Sequence, residues 1–271
     1  MSLKFVTFNI RCDYGQDGAN NFCFRQPLIL AELAHQQPDL VAFQEVLPHV
    51  AAWLKTSLKD YYLIGCPRSA ALADEQVPIA FKKDRFNLLQ METFWLSPQP
   101  YEPGSRYAVQ SPCPRVCTAA LFQDLSCGQI FRVLNLHLDH EGSPARELGL
   151  RQVIQYLHSV PLLPQAPVLL AGDFNAPPDS PELRLLQQDP DFLNLTAGIG
   201  ITFHSFSPAD PPCSIDYIFL KQHKALPEAA PCAPYSQQRL YCVKVSKWDT
   251  QAEGVWLSDH YPVCAEMEWQ D

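Results

Sequence analysis

The sequence has few of the features that mark membrane, secreted or nucleic-acid-coating proteins. No stretch approaches the roughly 18 uninterrupted apolar residues of a membrane-spanning helix. The first residues have no apolar core or cleavage site of a signal peptide, which favours a cytoplasmic protein without a membrane partner. The chain has 20 Lys and Arg against 29 Asp and Glu and no basic run, so nucleic acid is a disfavoured partner, although local basic loops remain an alternative.

Paired cysteine motifs are also absent. Ten cysteines are scattered over 271 residues without any Cys-x-x-Cys pair, so we expect reduced, semi-buried thiols. A zinc site at Cys113 and Cys117 would lack a second pair at suitable spacing. The composition is 47% hydrophobic, and no linker or internal repeat is visible. These features predict one folded domain over residues 1–271, which we expect to be a monomer.

An apolar run that ends in polar side chains is the most informative stretch of the chain. Residues 168–171 read as a buried strand, and Gly172, Asp173, Phe174 and Asn175 follow directly. Strand side chains repeat every two residues, so the two polar groups lie on the same side if the extended backbone continues. The alternative is a buried strand that ends in an Asx turn.

Strands dominate the rest of the pattern, and the helices between them are few. We predict a loop over residues 11–24 and helices over 27–34, 48–58, 144–158 and 181–187. The predicted strands are 3–9, 40–43, 61–65, 77–81, 86–94, 116–124, 129–137, 168–171, 214–220, 239–245 and 261–267. Too few helices follow strands for a TIM barrel. Two mixed sheets packed face to face with helices outside fit better.

Polar residues end several other predicted strands in the same way. Asn9 and Glu45 follow the first two strands, the segment 135–140 ends another, and Asp216 and Asp259 stand near the C-terminus. Unpaired at the rim of a core, each would cost a few kcal/mol of desolvation. Convergence on one pocket would let them bind each other and a cation. Hard oxygen ligands suit Mg²⁺ or Mn²⁺, and carboxylates with imidazoles suit metal-assisted phosphoryl hydrolysis.

These motifs, in their order along the chain, resemble those of the endonuclease/exonuclease/phosphatase superfamily over residues 3–268. The motifs that carry the resemblance are Phe8-Asn9, Gln44-Glu45, Asn135-Leu136-His137, Gly172-Asp173-Phe174-Asn175, Ile215-Asp216-Tyr217-Ile218 and Ser258-Asp259-His260. Any one motif is weak, whereas the ordered set is specific. The resemblance implies a four-layer α/β/β/α sandwich of two mixed sheets, with the site at one end of both sheets.

The resemblance also implies roles for individual residues. Glu45 would be the principal ligand of Mg²⁺ or Mn²⁺, with Asn9 and Asp259 beside it. Asp173 would orient and activate the attacking water for in-line attack on a phosphate ester. Asn175 would contact the phosphate and help to place that water.

Two histidines are further implied to act on the phosphate. His260 would face it and be held by Asp216, and His137 would donate to it from the other side. Arg25 and Arg115 are candidates for additional phosphate contacts, because a guanidinium fork matches phosphate geometry. A structural ion pair is the alternative for each arginine.

The substrate that these observations favour is a small, soluble phosphate ester. A nuclease or a deadenylase-like 3′-exonuclease on the same site is the first alternative. A binding module that kept the fold without activity is a more remote one. A narrower similarity to small, soluble bacterial members of the superfamily does not name a substrate.

Overall fold

The computed structural model describes residues 1–160, 165–207, 213–222 and 239–270. Its helices in these ranges are α1 Phe22–Gln36, α2 Pro48–Ser57, α3 Ser143–Ser159 and α4 Pro181–Gln187, and a 3₁₀ turn covers Gly18–Asn20. Its strands there are β1 Ser2–Asn9, β2 Leu40–Gln44, β3 Tyr61–Ile64, β4 Ile79–Lys82, β5 Phe86–Trp95, β6 Val116–Asp124, β7 Ile130–His137, β8 Val168–Asp173, β9 Phe192–Asn194, β10 Asp216–Lys221, β11 Arg239–Lys247, β12 Gln251–Ala252, β13 Val255–Trp256 and β14 Val263–Gln270.

Two six-stranded sheets organise the chain. The first has the order β11-β14-β1-β2-β4-β3, and the second has the order β5-β6-β7-β8-β10-β9. Each sheet contains one parallel pair, β1 with β2 in the first and β7 with β8 in the second, among otherwise antiparallel neighbours. Both sheets are therefore mixed, as the sequence predicted.

Three apolar layers separate four structural layers. One buried cluster joins the facing sides of the two sheets, and it includes Phe5 and Ala42 from the first sheet and Phe122 and Val133 from the second. A second cluster covers the outer face of the first sheet with α1 and α2, and a third covers the outer face of the second sheet with α3 and α4. This is the predicted α/β/β/α sandwich. No helix in the described ranges combines the length and apolarity that crossing a bilayer requires.

The two parallel pairs bring the polar motifs to one end of the sandwich. Asn9 pairs with Gln44 at the end of β1 and β2, and His137 pairs with Asp173 at the end of β7 and β8. Asp216 begins β10 directly opposite Asp173. Carboxyl ends of neighbouring parallel strands share one sheet edge, so these residues meet although they are far apart in the chain.

Buried amides connect the two sheets beneath that end. Gln44 Nε2 donates to Asn135 Oδ1 at 2.7 Å, and Asn135 Nδ2 donates to the carbonyl oxygens of Phe43 and Pro78 at 2.7 and 2.9 Å. Both side chains are fully buried. Because every one of these groups would be costly if unpaired, the network holds the sheets in one relative position.

The first helix begins earlier than the sequence predicted. Proline near a helix start placed the beginning at Pro27, whereas α1 begins at Phe22 and contains that proline. The ring of Phe22 packs edge-on against Trp53 of α2, with centroids 5.1 Å apart. Tertiary contact therefore extends the helix into the predicted loop, an effect that local propensity does not report. The short strands β9, β12 and β13 were not predicted either.

Gly172 occupies a position in β8 that no other residue fits. Its φ is +143°, and a Cβ atom there would lie 1.9 Å from the carbonyl oxygen of Leu136 on β7. We expect Gly172→Ala to lower the free energy of unfolding by about 3 kcal/mol, because the two strands must separate. Urea denaturation followed by circular dichroism measures this loss.

The control for this substitution is Gly254→Ala. Gly254 has φ +81°, but a Cβ atom added there would meet no atom of the described residues within 4 Å. The variant therefore isolates the backbone cost of about 1 kcal/mol. Equal losses in the two variants would show that the close approach of β7 and β8 is not what selects glycine.

Candidate active site

A cavity of about 580 Å³ opens at the end of the sandwich where the polar motifs meet. The predicted site residues that line it are Glu45, Arg115, His137, Asp173, Asn175, Asp259 and His260. Asn9 and Asp216 lie behind them and hydrogen-bond to them. The structure thus brings together nine of the ten residues that the sequence proposed.

Glu45 follows β2 directly and is held by two hydrogen bonds. Asn9 Nδ2 donates to its Oε1 at 2.9 Å, and the backbone N–H of Cys12 donates to its Oε2 at 2.8 Å. Burial opposes ionisation of a carboxyl, but the charge of His260 and these two hydrogen bonds lower the pKa of Glu45. Glu45 is therefore an ionised carboxylate that lines the cavity.

Asn9 links the carboxylates at the centre of the site. Its Nδ2 also donates to Asp173 Oδ2 at 3.0 Å, while its Oδ1 accepts the backbone N–H of Arg11 at 3.0 Å. The first sheet therefore holds a residue of the second sheet through one amide. In this orientation Asn9 bridges two carboxylates with its nitrogen, whereas the resemblance assigned its oxygen to a metal.

The segment after β8 is a turn and not a continued strand. Asn175 has φ +49°, and its backbone N–H donates to Asp173 Oδ1 at 2.8 Å, which is the Asx turn considered as the alternative. Its side chain is fixed by donation from Nδ2 to the carbonyl of Leu138 at 3.0 Å. Asp173 and Asn175 both line the cavity, but the extended backbone does not continue between them, and the alternative of an Asx turn is the conformation observed.

His260 is oriented by a buried carboxylate. Its Nδ1 lies 2.9 Å from Asp216 Oδ2, its Nε2 lies 3.8 Å from Asp173 Oδ2, and the ring of Phe203 packs against it with centroids 4.8 Å apart. Burial lowers the pKa of an imidazole, but the charge of Asp216 outweighs it and raises the pKa of His260 to about 10. The ring is therefore protonated at neutral pH and has an N–H available on Nε2.

His137 lies on the other side of Asp173. Its Nε2 is 3.5 Å from Asp173 Oδ2. Burial and the positive charge of Arg115 lower its pKa well below the ordinary value. The two histidines therefore differ in charge, and His137 is a neutral donor or acceptor at the cavity wall.

The donor set fits a divalent cation. Atoms of Glu45, Asp173 and His260 that can bind metals lie within 4.8 Å of one another, and the two carboxylates suit a cation, whereas a protonated His260 would not bind it. Burial, with Asp216 nearby, raises the pKa of Asp173 to about 7, and burial also raises the pKa of Asp259. A bound cation would favour the ionised forms of these buried carboxyls.

Asp259 is positioned by two side chains. Ser258 Oγ lies 3.1 Å from its Oδ1, and Arg11 Nη1 lies 3.3 Å from its Oδ2. Arg11 is in turn held by Asp17 through two hydrogen bonds of 3.1 and 3.2 Å. Arg11, Glu45 and Asn175 all have positive φ, at 63°, 60° and 49°, so strained backbone is concentrated at this cavity.

Arg25 does not lie at the cavity, which corrects one predicted substrate contact. It is fully buried, and its guanidinium donates to the carbonyl oxygens of Asn20, Ile10, Leu257 and Arg11 at 2.6 to 3.2 Å. All three of its guanidinium nitrogens therefore donate to carbonyl oxygens, which fastens α1 to the loops beside the site. Its role is structural, although the partners are carbonyls and not the ion pair that the sequence suggested.

Sequence reasoning missed part of the cavity wall. Arg11, Arg68, Glu75, His140 and Phe203 also line it. The sequence assigned no role to His140. Its position three residues beyond His137 was the available signal, because residues just past a strand end lie at the same rim.

Comparison with known proteins agrees with this geometry. The sequence profile of the Endonuclease/Exonuclease/phosphatase family matches residues 6–260. The chain belongs to this family. Family members are phosphoester hydrolases that generally use divalent metals, so the protein is an enzyme of this class. No curated protein sequence gave a significant match.

Solved structures of bacterial proteins share the whole fold. An endonuclease/exonuclease/phosphatase from Bacteroides vulgatus is 28% identical with complete coverage of both chains and a TM-score of 0.87. A functionally unknown conserved protein from Enterococcus faecalis is 26% identical, covers 99% of this chain and 100% of its own, and has a TM-score of 0.85. A mannosyl-6-phosphatase from Bacteroides thetaiotaomicron is 23% identical, with 98% and 100% coverage and a TM-score of 0.83.

Proposed function

We propose that the protein is a Mg²⁺- or Mn²⁺-dependent phosphoesterase that hydrolyses a small, soluble phosphate ester. The observation that carries this proposal is the juxtaposition of the buried Asp173 carboxylate and the imidazole of His260, which Asp216 orients, 3.8 Å apart at a cavity that Glu45 and Asp259 also line. A carboxylate in this position takes a proton from the attacking water, and a fixed imidazolium stabilises the charge that develops on phosphorus oxygens.

Each polar group in the cavity has a part in this proposal. Glu45, with Asp259 and Asn9 beside it, would hold the metal ion. When bound, Mg²⁺ or Mn²⁺ polarises a phosphate oxygen and neutralises charge on the leaving oxygen. Asp173 orients the attacking water and accepts its proton.

The remaining residues act on the phosphate itself. His260 donates its Nε2 hydrogen to a phosphate oxygen, and Asp216 keeps that imidazole protonated and correctly oriented. His137 donates from the opposite side, and Asn175 contacts the phosphate beside the water.

The shape and charge of the cavity support a small substrate. A volume of about 580 Å³ lies in the range of small-molecule sites. Two of its arginines are committed to acidic partners, because Arg11 binds Asp17 and Asp259, and Arg68 binds Asp74 and Glu75 at 3.2 and 2.9 Å. Such arginines do not form the continuous basic track that a polymer requires, and the net charge of −9 agrees.

A panel of small phosphate esters tests the proposal. We expect the purified enzyme to release phosphate or alcohol from sugar phosphates and aryl phosphates with Mg²⁺ or Mn²⁺, and excess EDTA to abolish turnover until metal is restored. Product release with and without chelator is the measurement. Unchanged turnover in EDTA would contradict the metal requirement, and no turnover of any ester would contradict the small-molecule assignment.

A nuclease or deadenylase-like 3′-exonuclease is the alternative, because the catalytic residues would be the same. Binding to fluorescent oligonucleotides at several salt concentrations separates the two functions. A nuclease predicts affinity that falls steeply as salt rises, whereas the small-ester proposal predicts weak binding even at low salt. A binding module without activity predicts no turnover on either substrate class.

A further inference from the structure

Arg115 is a buried cation whose donors are largely unused. Its side chain is 5% exposed, and it lines the same cavity as Asp173 and His260. Its Nη2 donates to His140 Nδ1 at 2.8 Å, while its Nε and Nη1 have no hydrogen-bond partner among the described residues. Leaving charged donors buried and unpaired is costly, so a ligand that accepts from them would be bound favourably.

The nearest carboxylate does not supply that partner. Asp139 Oδ2 lies 4.0 Å from Arg115 Nε, beyond hydrogen-bonding distance. Its two oxygens already accept four hydrogen bonds, from the backbone N–H and hydroxyl of Ser111 and from the backbone N–H groups of Glu141 and Gly142. The carboxylate is therefore occupied in shaping the loop after β7.

The other neighbours carry both signs of charge. Arg68 and Glu75 line the same wall, and Arg68 is paired with Asp74 and Glu75, so its charge is compensated, while Glu75 makes no hydrogen bond to the unused donors of Arg115. Burial and this neighbouring guanidinium lower the pKa of Arg115. His140 accepts the Arg115 hydrogen on Nδ1, so its neutral form carries its own hydrogen on Nε2, which lies 3.6 Å from the exposed carboxylate of Glu141.

This wall is displaced from the catalytic centre. Arg115 acts electrostatically on His137, and His137 in turn lies 3.5 Å from Asp173. Arg115 contacts His140, which stands three residues beyond His137 on the loop that leaves β7. The second sheet has the strand order β6-β7-β8, so His137 at the end of β7 lies between Arg115, which precedes β6, and Asp173 at the end of β8.

We propose that Arg115 and His140 form a second anion subsite, which binds an anionic group of the substrate other than the phosphate that is hydrolysed. The inference rests on the proposed function and narrows it. The substrate is a small phosphate ester that carries a further phosphate or carboxylate on the same molecule. A guanidinium with two parallel donors binds either group in a bidentate way.

Three sugar derivatives that share a 6-phosphate test this inference. Glucose 6-phosphate has no second anion, glucose 1,6-bisphosphate has a second phosphate, and 6-phosphogluconate has a carboxylate. We expect wild-type kcat/KM for at least one probe with a second anionic group to exceed that for glucose 6-phosphate about tenfold or more. Arg115→Gln should reduce this ratio of kcat/KM values to about 1. Arg115→Lys should leave an intermediate ratio, because lysine keeps the positive charge without the two parallel donors of a guanidinium. The ratio of kcat/KM between the two probes with a second anionic group shows whether the subsite prefers a phosphate or a carboxylate.

Binding measured without turnover separates failure of the subsite from failure of the enzyme assignment. Calorimetric titration of Asp173→Asn should show that the probe with the second anionic group binds more tightly than glucose 6-phosphate, by a similar factor. Adding Arg115→Gln to this variant should remove the difference in affinity. If wild type hydrolyses none of the probes yet this difference in affinity persists, the subsite stands and the proposed function fails. If all three probes lose affinity equally, Arg115 binds the scissile phosphate and the second subsite is overturned. No change with any probe also overturns it.

Two control variants guard against trivial explanations. Arg151→Gln removes an exposed arginine of α3 that pairs with Glu147, and it should leave the ratio at the wild-type value. If Arg115→Gln does not fold, His140→Asn replaces it, because the His140 side chain is 47% exposed and tolerates substitution. That variant should lower the ratio by withdrawing both a donor and the partner that orients Arg115. An unaltered ratio in a folded His140→Asn would remove His140 from the subsite.

Discussion

Asp173→Asn should lower kcat about 10³-fold while the affinity for substrate changes little. The carboxylate is the only proposed base, and an amide of the same shape cannot accept the proton of the attacking water. The substitution keeps acceptors and donors near Asn9 and the Asn175 backbone, so the turn after β8 should persist. Steady-state kinetics on the best phosphate ester, with circular dichroism to verify folding, measure the effect.

Asp249→Asn is the matched control for this prediction. Asp249 is an exposed aspartate after β11, outside the residues that line the cavity, and its replacement should leave kcat within about twofold of wild type. A folded Asp173→Asn enzyme that retains wild-type kcat would remove Asp173 from its assigned role, and with it the mechanism of water activation.

Glu45→Gln should weaken binding of Mg²⁺ or Mn²⁺ by about 100-fold or more and lower kcat/KM in parallel. Loss of residues that merely orient metal ligands already costs about 10- to 100-fold in metal affinity, and a direct carboxylate ligand contributes at least as much. An amide oxygen lacks the charge that a hard cation favours. Calorimetric titration with Mn²⁺ and activity at rising metal concentration measure the two effects.

The control for this prediction is Glu147→Gln on α3. Glu147 is bound only to Arg151 among the described contacts, on the protein surface, so metal affinity should not change. Partial recovery of Glu45→Gln activity at high metal concentration is expected, because the remaining oxygen donors still form part of the site. Tight metal binding by folded Glu45→Gln would show that the ion lies elsewhere.

Local sequence patterns predicted the strands well and the connections poorly. Alternating or continuous apolar runs predicted the central strands β1, β2, β7 and β8 within one or two residues. The largest of these differences is at β8, which continues through Asp173. The start of α1 was wrong because packing of Phe22 against Trp53, and not proline chemistry, sets it. The extended backbone considered after β8 does not form, because Asn175 adopts a positive φ that a hydrogen bond to Asp173 stabilises.

Side-chain roles were harder to predict where burial decides them. Arg25 and Arg115 look alike in sequence, as single arginines beside motif residues. All three guanidinium nitrogens of Arg25 donate to carbonyl oxygens, whereas two nitrogens of Arg115 have no hydrogen-bond partner among the described residues. His140 looks like a loop histidine until its contact with Arg115 is seen. Such differences depend on what surrounds a group in space, which spacing along the chain does not contain.

The sequence by itself determined which residues could do chemistry and that they lie at strand ends or in the adjoining loops, because strand periodicity and the ordered polar motifs are local properties of the chain. It also determined the family. The tertiary structure alone decided which of these groups face one cavity, how Asp216 and burial set the charges of His260 and Asp173, and which arginine remains available to a ligand. The reason is physical: desolvation and electrostatic interaction depend on distance and burial, and those exist only after the two sheets have packed.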